Sequence, residues 1–516
     1  MIGAPVRARR ALGGSLLLLA SFCALAAPAR AQDLASFEKR TTLHKLSNGW
    51  TFILVERPGS PVFSFATTVN VGSAQEVPGI TGLAHMFEHM AFKGTPVIGT
   101  RDYEAEKHAI AALEAAYLAW QAERLAPKPD ADKLAKLQAD FEAKEAEAQK
   151  FVVSNEFDDI VDREGGVGMN ASTNADSTNY FYSLPVNKLE LFAYLESERF
   201  LRPVFREFYK ERAVVQEERR LRTDSNPTGR LVERFLATAF EAHPYHQPTV
   251  GYMSDLQSFT MTDAEAFFQT HYAPSNMITA IVGGIDRKAV VPVLEKYFGR
   301  IPARPAPPPL RTVEPPQIAG KTVVLEDAAQ PFYLEGYHKA AATHPDQEVW
   351  DAIDDILSNG RSGRLYRSLV RDQKVAVQVE SFGDFPGKRY PHLWSLFALP
   401  APGKTADDVA AALRAEIEKL KTEDVTAAEL ERFKTRARST LLRGLASNMG
   451  LARNLAEAQR VHGDWRELFR TLERIDKVTA ADIRRVANAT LYDNNRTVAK
   501  IVTVDKAATT APESGR

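Results

Sequence analysis

The amino-acid sequence predicts an α+β fold of two homologous lobes, each a mainly antiparallel sheet packed with helices. The first observation behind this prediction is the segment 301–320, where seven prolines between Pro302 and Pro316 favour an extended spacer. The second is the alternation of β-like stretches, such as WTFILVE and SFATTVNVGS, with helical stretches before that segment. The third is an internal similarity between the two sides of the segment.

The internal similarity joins residues 260–286 to residues 478–505. Both stretches predict a capped helix, a turn with tyrosine and asparagine, and a closing strand, at an offset of about 220 residues. We expect Thr262 and Glu265 to cap the first of these helices. The repeat indicates a duplication, with a first lobe at 32–300, a proline-rich linker at 301–320 and a second lobe at 321–516.

Residues 1–31 are predicted to be a signal peptide. Three arginines precede the apolar run SLLLLASFCALAA, and Ala29-Arg30-Ala31 offers a cleavage site of small residues. The alternative, an uncleaved membrane anchor, is disfavoured because the apolar run is short. We therefore expect cleavage near Ala31, a periplasmic or secreted mature protein, and no stable membrane insertion.

Composition excludes several classes of site and partner. Cys23 is the only cysteine and lies in the signal peptide, so the mature protein has no disulfide and no thiolate metal ligand. The formal charge of −1 gives no electrostatic reason to expect nucleic acid as a partner.

An Ala/Glu/Lys-rich region at about 103–151 is interrupted by PKPDAD. It predicts two solvent-exposed helices that form a hairpin inserted into the first lobe. We assign no chemistry to this insertion.

The stretch GLAHMFEHMAFKGT at 82–95 places His85, Glu88 and His89 among apolar residues. On a helix the two histidines are nearly aligned, and Glu88 lies about 60° to one side of His85. Two imidazoles at this spacing can bind one zinc ion, and a carboxylate beside them can take a proton from a metal-bound water. The alternative is a pair of core histidines bonded to backbone carbonyls. The apolar setting and the following FKGT favour the metal.

A catalytic zinc takes three protein ligands, so a third must come from elsewhere in the chain. In FYKERAVVQEERR, Glu211 and Glu218 share a helical stripe with Val214 and Val215, and both carboxylates point inward if these valines face the core. We expect Glu218 to be the ligand and Glu211 its partner carboxylate, with Glu217 on the surface. The alternative is a pair of salt-bridged structural glutamates.

These motifs resemble the insulinase/pitrilysin-type zinc metallopeptidases, the inverted-motif family that includes the mitochondrial processing peptidases. HMFEHMAFKGT matches the family's HxxEH helix, GGVGMNASTNADSTNYFYSLP its GG-x-x-N-A-x-T segment, and ERAVVQEERR its glutamate helix. HPYHQPTVG and LSNGRSGRLYRSLV match recurrent stretches of the two halves. The resemblance covers essentially the whole mature chain.

The resemblance implies that His85, His89 and Glu218 bind one zinc per chain. It implies that Glu88 is the general base and that Glu211 steadies the site.

The resemblance also implies that Asn170 and Ala171 lie on an edge strand to which a peptide substrate adds as a further strand. The alternative for these two residues is a plain strand and turn. His243 and His246 are expected to pack rather than bind metal, because Pro244 between them breaks helical spacing.

Two departures from the family pattern stand out. The glutamate helix lies farther from HxxEH than usual, which the 103–151 insertion explains. The second lobe of active members usually supplies an arginine and a tyrosine that hold the substrate, and residues 379–404 hold no convincing match. Arg389 and Tyr390 are adjacent and precede the relevant strand, so we do not expect them to take this role.

Two lobes amount to half of the family's four-domain chamber. We therefore expect a heterodimer with a homologous subunit that lacks HxxEH and supplies the missing pair, with a homodimer as the alternative. The predicted function is an exported zinc-dependent endopeptidase that hydrolyses unfolded peptides or small polypeptides in an enclosed chamber.

Two alternatives belong to other classes of protein. One is a non-catalytic scaffold subunit of a peptidase-like heterodimer, and the other is a zinc hydrolase that acts on something other than peptides. Manganese or cobalt could also occupy the ligands assigned to zinc.

Overall fold

The computed structural model describes residues 34–505. The predicted signal peptide at 1–31, with Cys23 and the cleavage site near Ala31, lies outside the described residues. Within 34–505, no helix combines the length and the apolar character needed to cross a membrane.

The chain forms alternating strands and helices. The strands are β1 (Thr41–Lys45), β2 (Thr51–Glu56), β3 (Val62–Val69), β4 (Val167–Thr173), β5 (Thr178–Pro185), β6 (Met277–Gly283), β7 (Lys321–Asp327), β8 (Phe332–Lys339), β9 (Ala376–Phe385), β10 (His392–Pro400) and β11 (Arg496–Thr503). The helices are α1 (Leu34–Arg40), α2 (Leu83–Met90), α3 (Tyr103–Arg124), α4 (Ala131–Gln149), α5 (Glu156–Arg163), α6 (Leu189–Leu201), α7 (Phe208–Arg219), α8 (Pro227–Ala239), α9 (Met253–Leu256), α10 (Met261–His271), α11 (Arg287–Phe298), α12 (Gln347–Ser358), α13 (Ala406–Thr422), α14 (Ala427–Ala446), α15 (Asn448–His462), α16 (Glu467–Lys477) and α17 (Ala480–Thr490). A π-helical turn at Arg220–Asp224 extends α7.

The strands form one sheet in each lobe. The first sheet has the order β1-β2-β6-β3-β5-β4, and the second has the order β7-β11-β8-β10-β9. Each contains one parallel pair, β2 with β6 and β7 with β11, among antiparallel pairs. Without β1 the two orders correspond strand for strand. This correspondence confirms the predicted α+β fold of two homologous, mainly antiparallel lobes.

The helices also correspond in chain order, so that α2, α7, α8 and α10 match α12, α14, α15 and α17. Helix α10 begins with a capping box made by Thr260 and Asp263, and α17 begins with the same device. The predicted cap at Thr262 and Glu265 is therefore wrong by two residues. The hydroxyl of Thr262 instead donates to Glu114 of α3, 2.9 Å away.

The lobes exchange one helix each. Helix α15 of the second lobe buries Leu451 and Leu455 against the first sheet, and α8 of the first lobe buries Phe235 and Leu236 against the second sheet. Residues 301–320, which join the two lobes, hold no helix or strand. The lobes nevertheless pack directly against each other through α8 and α15. Separating the halves would expose apolar residues of both sheets.

Helices α3 and α4 form the predicted hairpin, but one face of α3 is buried where solvent exposure was expected. Tyr117 of α3 is fully buried and lies against the ring of Tyr209 in α7, with the ring centroids 4.1 Å apart. Its hydroxyl accepts a hydrogen bond from Arg212 of α7 at 2.6 Å. Because Leu113, Tyr117 and neighbouring apolar residues share one face of α3, that face packs on α7 instead of facing water. The hairpin therefore supports the helix that carries Glu211 and Glu218.

Candidate metal centre

Helix α2 carries the HxxEH motif and begins in a buried turn. Gly82 precedes it in the left-handed conformation, where a Cβ atom would lie 2.8 Å from the carbonyl oxygen of Val250. The buried carboxyl group of Glu76 accepts hydrogen bonds from the N–H groups of Gly82 (2.8 Å) and Ala84 (2.7 Å). Glu76 thereby supplies the cap that a glycine cannot.

The turn after α2 is held by one buried arginine. Arg206 donates to the carbonyl oxygens of Lys93 (2.6 Å), Thr95 (3.2 Å) and Ile98 (3.1 Å). The same guanidinium forms two bonds with the carboxylate of Glu106 in α3, at 2.5 and 2.7 Å. The FKGT turn is therefore fixed by long-range contacts.

Helix α7 presents its carboxylates to α2. Glu211 and Val215 are buried, whereas Val214 is 45% exposed, so the expectation that both valines face the core is wrong for Val214. The buried face of α7 is centred near Val215, about 100° away from Val214 around the axis. Glu217 is exposed, as expected.

The structure brings His85, His89 and Glu218 together, with one donor atom from each lying within 4.8 Å of the others. Nε2 of His85 lies 3.5 Å from Oε1 of Glu218, and Nε2 of His89 lies 3.6 Å from Oε2. These distances are long for hydrogen bonds. They are close to the ~3.4 Å that separates two ligands of a tetrahedral ion bound at about 2.1 Å. Two imidazoles and one carboxylate are a donor set that zinc prefers, so the residues present fit this metal.

Glu211 lies behind this group of three and contacts His89. Its Oε2 is 3.5 Å from Nδ1 of His89, and its Oε1 is 2.5 Å from Nζ of Lys93. Lys93 belongs to the FKGT turn. Its contact with Glu211 could not be predicted, because nothing in the sequence indicates that a lysine four residues after His89 faces α7. Lys93 holds Glu211, and Glu211 in turn holds the imidazole ring of His89 at Nδ1, the nitrogen that does not face Glu218.

Glu218 has a second partner that the sequence did not indicate. Nη1 of Arg222 lies 2.5 Å from Oε1 of Glu218, one helical turn later in the π-helical extension of α7. The side chain of Arg222 is 72% exposed.

The two histidines differ in their electrostatic surroundings. Burial lowers the pKa of His85 to about 4. Burial acts in the same direction on His89, but the carboxylates of Glu211 and Glu218 outweigh it and raise the pKa of His89 to about 9. The carboxylates of Glu211 and Glu218 thus favour a positive charge between α2 and α7.

Glu88 lies at the side of the three donors, next to the first sheet. Burial raises the pKa of Glu88 above its usual range, and Thr173 and His89 partly oppose that rise. Thr173 ends β4, so the carboxylate stands beside the edge strand of the sheet.

Asn170 and Ala171 lie on β4, the edge strand of the first sheet. Asn170 is exposed and pairs in register with Phe181 of β5. The N–H of Ala171 donates to Oδ1 of Asn170 at 2.8 Å. The structure therefore places both residues on the edge strand whose last residue, Thr173, contacts Glu88.

The remaining histidines and the Arg389-Tyr390 pair lie elsewhere. His243 is buried against the rings of Tyr245 and Tyr390, and burial lowers its pKa to about 4. Arg389 donates to Oδ1 of Asn70 at 2.8 Å, across the two lobes. In this structure His243 packs against aromatic rings, and Arg389 bonds the first lobe.

Comparison with known proteins places these features in a family. The sequence model described as "Insulinase (Peptidase family M16)" matches residues 51–120, and the one described as "Peptidase M16 inactive domain" matches residues 258–437. The first match contains the HxxEH motif. The second contains none of the candidate site residues.

Several proteins are similar over most of the chain. The zinc protease PqqE of Helicobacter pylori is 30% identical over 501 residues, which cover 95% of this chain and 97% of that protein. The crystal structure of a protease from Helicobacter pylori has a TM-score of 0.75 at 28% identity, covering 90% of this chain and 99% of that one. The periplasmic protease PqqL of Escherichia coli has a TM-score of 0.66 at 17% identity, covering 92% of this chain and 49% of that one.

Proposed function

This chain belongs to the insulinase-type M16 peptidase family, and on that premise we propose that it is a zinc-dependent endopeptidase. The observation that carries the proposal is the group formed by His85, His89 and Glu218, with Glu88 between it and an edge strand. The fold itself does not carry the proposal, since a shared fold does not fix an activity.

In this proposal His85, His89 and Glu218 hold one zinc ion. A zinc ion held there would supply the Lewis acidity that polarises the scissile carbonyl and lowers the pKa of water at the site. Glu88 accepts the proton of the attacking water at a carboxylate oxygen and returns it to the leaving amine. Glu211 keeps the ring of His89 turned toward Glu218, and Lys93 holds Glu211 in place.

Substrates of the proposed activity are unfolded peptides or small polypeptides. The exposed edge of β4 at Asn170 and Ala171 supports this, since an extended peptide can add there as a further strand. Such pairing needs an extended backbone, so a folded protein is a poor substrate. The predicted signal peptide and the likeness to a periplasmic protease support an exported location.

The enclosed chamber requires a partner in this proposal. This chain matches about half the length of PqqL, 49% of that chain, which supports a two-lobed unit that pairs with another. A heterodimer with a homologous subunit lacking HxxEH is proposed, because Arg389 and Tyr390 are engaged elsewhere. A homodimer with full peptidase activity would contradict it.

A non-catalytic scaffold is the second candidate, and the family description "inactive domain" is the observation that favours it. That match spans 258–437 and excludes Glu218 and all of α2, so it bears on the second lobe. The peptidase proposal is therefore preferred.

The test is the Glu88→Gln variant, which removes the proton acceptor and keeps the shape. We expect turnover of a quenched fluorescent peptide library to fall by about 10²–10⁴. Zinc content, measured by mass spectrometry, should stay at the wild-type level. Glu217→Gln is the matched control and should keep both activity and zinc. Near-normal rates in Glu88→Gln would refute the general-base role. A wild type that binds zinc and stays inactive even in the assembly isolated with its partner subunit would support the scaffold.

A further inference from the structure

The turn between β4 and β5 connects the candidate active site to the second lobe. It comprises residues 174–177 and follows Thr173, the residue of β4 that contacts Glu88. Within the turn, Asp176 is 1% exposed. A carboxyl group buried this deeply is costly unless its oxygens are hydrogen-bonded, so its partners show what it holds in place.

The side chain of Asp176 binds a loop of the second lobe. Its Oδ2 accepts hydrogen bonds from the N–H groups of Lys388 (2.7 Å) and Arg389 (3.0 Å), in the loop after β9. Its Oδ1 accepts from the hydroxyl group of Tyr245 at 2.6 Å. Both oxygens are therefore engaged, and two of the three donors are backbone groups of the other lobe.

The two lobes approach closely at this contact. Gly387 precedes the two bonded N–H groups, and a Cβ atom there would lie 2.6 Å from the hydroxyl oxygen of Tyr245 and 2.7 Å from Oδ2 of Asp176. Only glycine allows such an approach without a shift of the backbone.

The same turn also holds the segment that leads into α2. The carbonyl oxygen of Asn174 accepts a hydrogen bond from the N–H of Ser73 at 3.2 Å. The next carbonyl oxygen, of Ala175, accepts from the N–H of Ala74 at 3.0 Å. Glu76, two residues later, caps α2. The turn is thus bonded to the chain that enters α2 and is continuous with the edge strand β4.

We propose that Asp176 is a positioning residue of the candidate active site, through which the second lobe holds the end of β4 beside Glu88. A peptide that adds to β4 takes its place from this strand, so the distance from its scissile bond to Glu88 depends on where the turn holds β4. A displacement of about 1 Å between reacting groups can cost about 10²-fold in rate. This inference rests on the proposed function and deepens it, because it assigns the second lobe a part in the reaction that needs no side chain at the metal.

Two variants release the contact from opposite lobes. Asp176→Ala removes both acceptor oxygens, and Gly387→Ala pushes the second-lobe loop away. The kcat and KM of each are measured on one quenched peptide that the wild type cleaves, in the assembly isolated with the partner subunit. We expect kcat to fall by about 10–100-fold and KM to change by less than about threefold, because the edge of β4 still pairs with the peptide.

The conservative variant should rescue the contact. In Asp176→Asn, Oδ1 can accept from both backbone N–H groups while the amide donates to the hydroxyl oxygen of Tyr245. We expect its kcat to stay within about threefold of the wild-type value. If Asp176→Ala does not fold, Gly387→Ala carries the test, since it leaves the first lobe unchanged.

Two controls separate positioning from a general loss of stability. Gly383→Ala adds the same methyl group four residues earlier, where the Cβ would come no closer than 3.9 Å to Nζ of Lys339, and it should keep the wild-type kcat. Arg436→Ala removes the cation bonded to Asp355 in the second lobe, away from the turn, and should also keep kcat. Zinc content should stay at about one per chain in every variant, because none of them changes a candidate ligand.

Hydrogen exchange measures the contact without turnover. In Asp176→Ala and Gly387→Ala, the amides at 171–178 should exchange at least about fivefold faster, while those of α14 exchange as in the wild type. Wild-type kcat in both variants, a fall shared by Gly383→Ala, or loss of zinc from either variant would overturn the inference and leave the proposed function standing. A wild-type assembly that cleaves no peptide, although both variants loosen β4, would refute the proposed function and leave the contact between the lobes as described.

Discussion

The two lobes place corresponding helix pairs beside corresponding sheets, but they balance inward-facing charge differently. In the first lobe α2 meets α7, and imidazoles face carboxylates at 3.5–3.6 Å. In the second lobe α12 meets α14, and arginines bond the carboxylates directly. Arg364 forms two bonds of 2.8 Å with Glu429, and Nε of Arg436 lies 2.8 Å from Oδ1 of Asp355.

The difference shows that the same pair of helices can balance its carboxylates either with an arginine of the chain or with a bound metal ion. A guanidinium that binds both oxygens of a carboxylate, as Arg364 binds Glu429, leaves neither oxygen free for a metal. In the first lobe Arg222 contacts Oε1 of Glu218, and Oε2 faces His89. The imidazoles of His85 and His89 face Glu218 across a gap of the size that a metal ion occupies. Of the residues at 34–505, only His85, His89 and Glu218 form a group of three such donors. The duplication thus accounts for two similar lobes with a single candidate metal centre.

The first test of this comparison is the effect of Glu211→Gln on zinc affinity, which we expect to be larger than the stability effects that follow. In Glu211→Gln, His89 loses the charged partner of its Nδ1. We expect the zinc affinity, measured by competition with a chelator dye, to fall by about 10–100-fold. Glu217→Gln on the same helix should leave the affinity unchanged. An unaltered affinity in Glu211→Gln would mean that His89 needs no support.

A change to the corresponding helix pair of the second lobe should lower the stability of the protein and leave its zinc content unchanged. Arg436→Ala leaves the partly buried Asp355 without its cation. We expect the free energy of unfolding, from urea titration, to fall by about 1–3 kcal/mol, between the values for exposed and buried pairs. Loss of zinc in this variant would contradict the separation of the two lobes.

The acidic residues at the starts of α2 and α12 should make the free energy of unfolding depend on pH in opposite directions. Burial raises the pKa of Glu76 to about 8, against the two N–H bonds that it accepts at α2. The folded protein then holds a proton that the unfolded chain releases. Its contribution to stability is therefore complete below about pH 4.5 and is lost as pH rises toward 8, by at most about 1.4 kcal/mol per pH unit. Glu76→Gln should flatten this slope between pH 5 and 8, and an unchanged slope would contradict the assignment.

The smallest effect is expected at the start of α12. The bonds from Arg485 lower the pKa of Asp346, so its contribution is present above about pH 4 and is lost as the pH falls below that value. Because the Arg485 side chain is half-exposed, we expect this contribution to be no more than about 1 kcal/mol. Asp346→Asn should therefore lower the free energy of unfolding above about pH 4 and change it little at lower pH. A loss of stability that is larger at acid pH than near pH 7 would be the contrary result.

The sequence predicts the local part of this site well. His85, Glu88 and His89 follow from helical spacing, and the stripe of Glu211 and Glu218 follows from the same period. Both patterns lie within single helices, so no tertiary contact is needed to recognise them.

The supporting residues could not be predicted, because their roles depend on contacts between distant segments. Glu76 caps α2 only because the chain folds back on itself before Gly82. Arg206 reaches the FKGT turn from about 110 residues away in sequence, a contact that no periodicity indicates. The exchange of α8 and α15 was missed for the same reason. An apolar helix face shows that it is buried, but not against which sheet.

The most direct test of the account is the metal content of the mature protein, measured by mass spectrometry beside Glu218→Gln and Glu429→Gln. Both variants remove one charged carboxylate, from α7 and from the corresponding α14. The account predicts about one zinc per chain in wild type and in Glu429→Gln, and its loss in Glu218→Gln. No zinc in carefully prepared wild type, or full zinc in Glu218→Gln, would contradict a metal centre between α2 and α7.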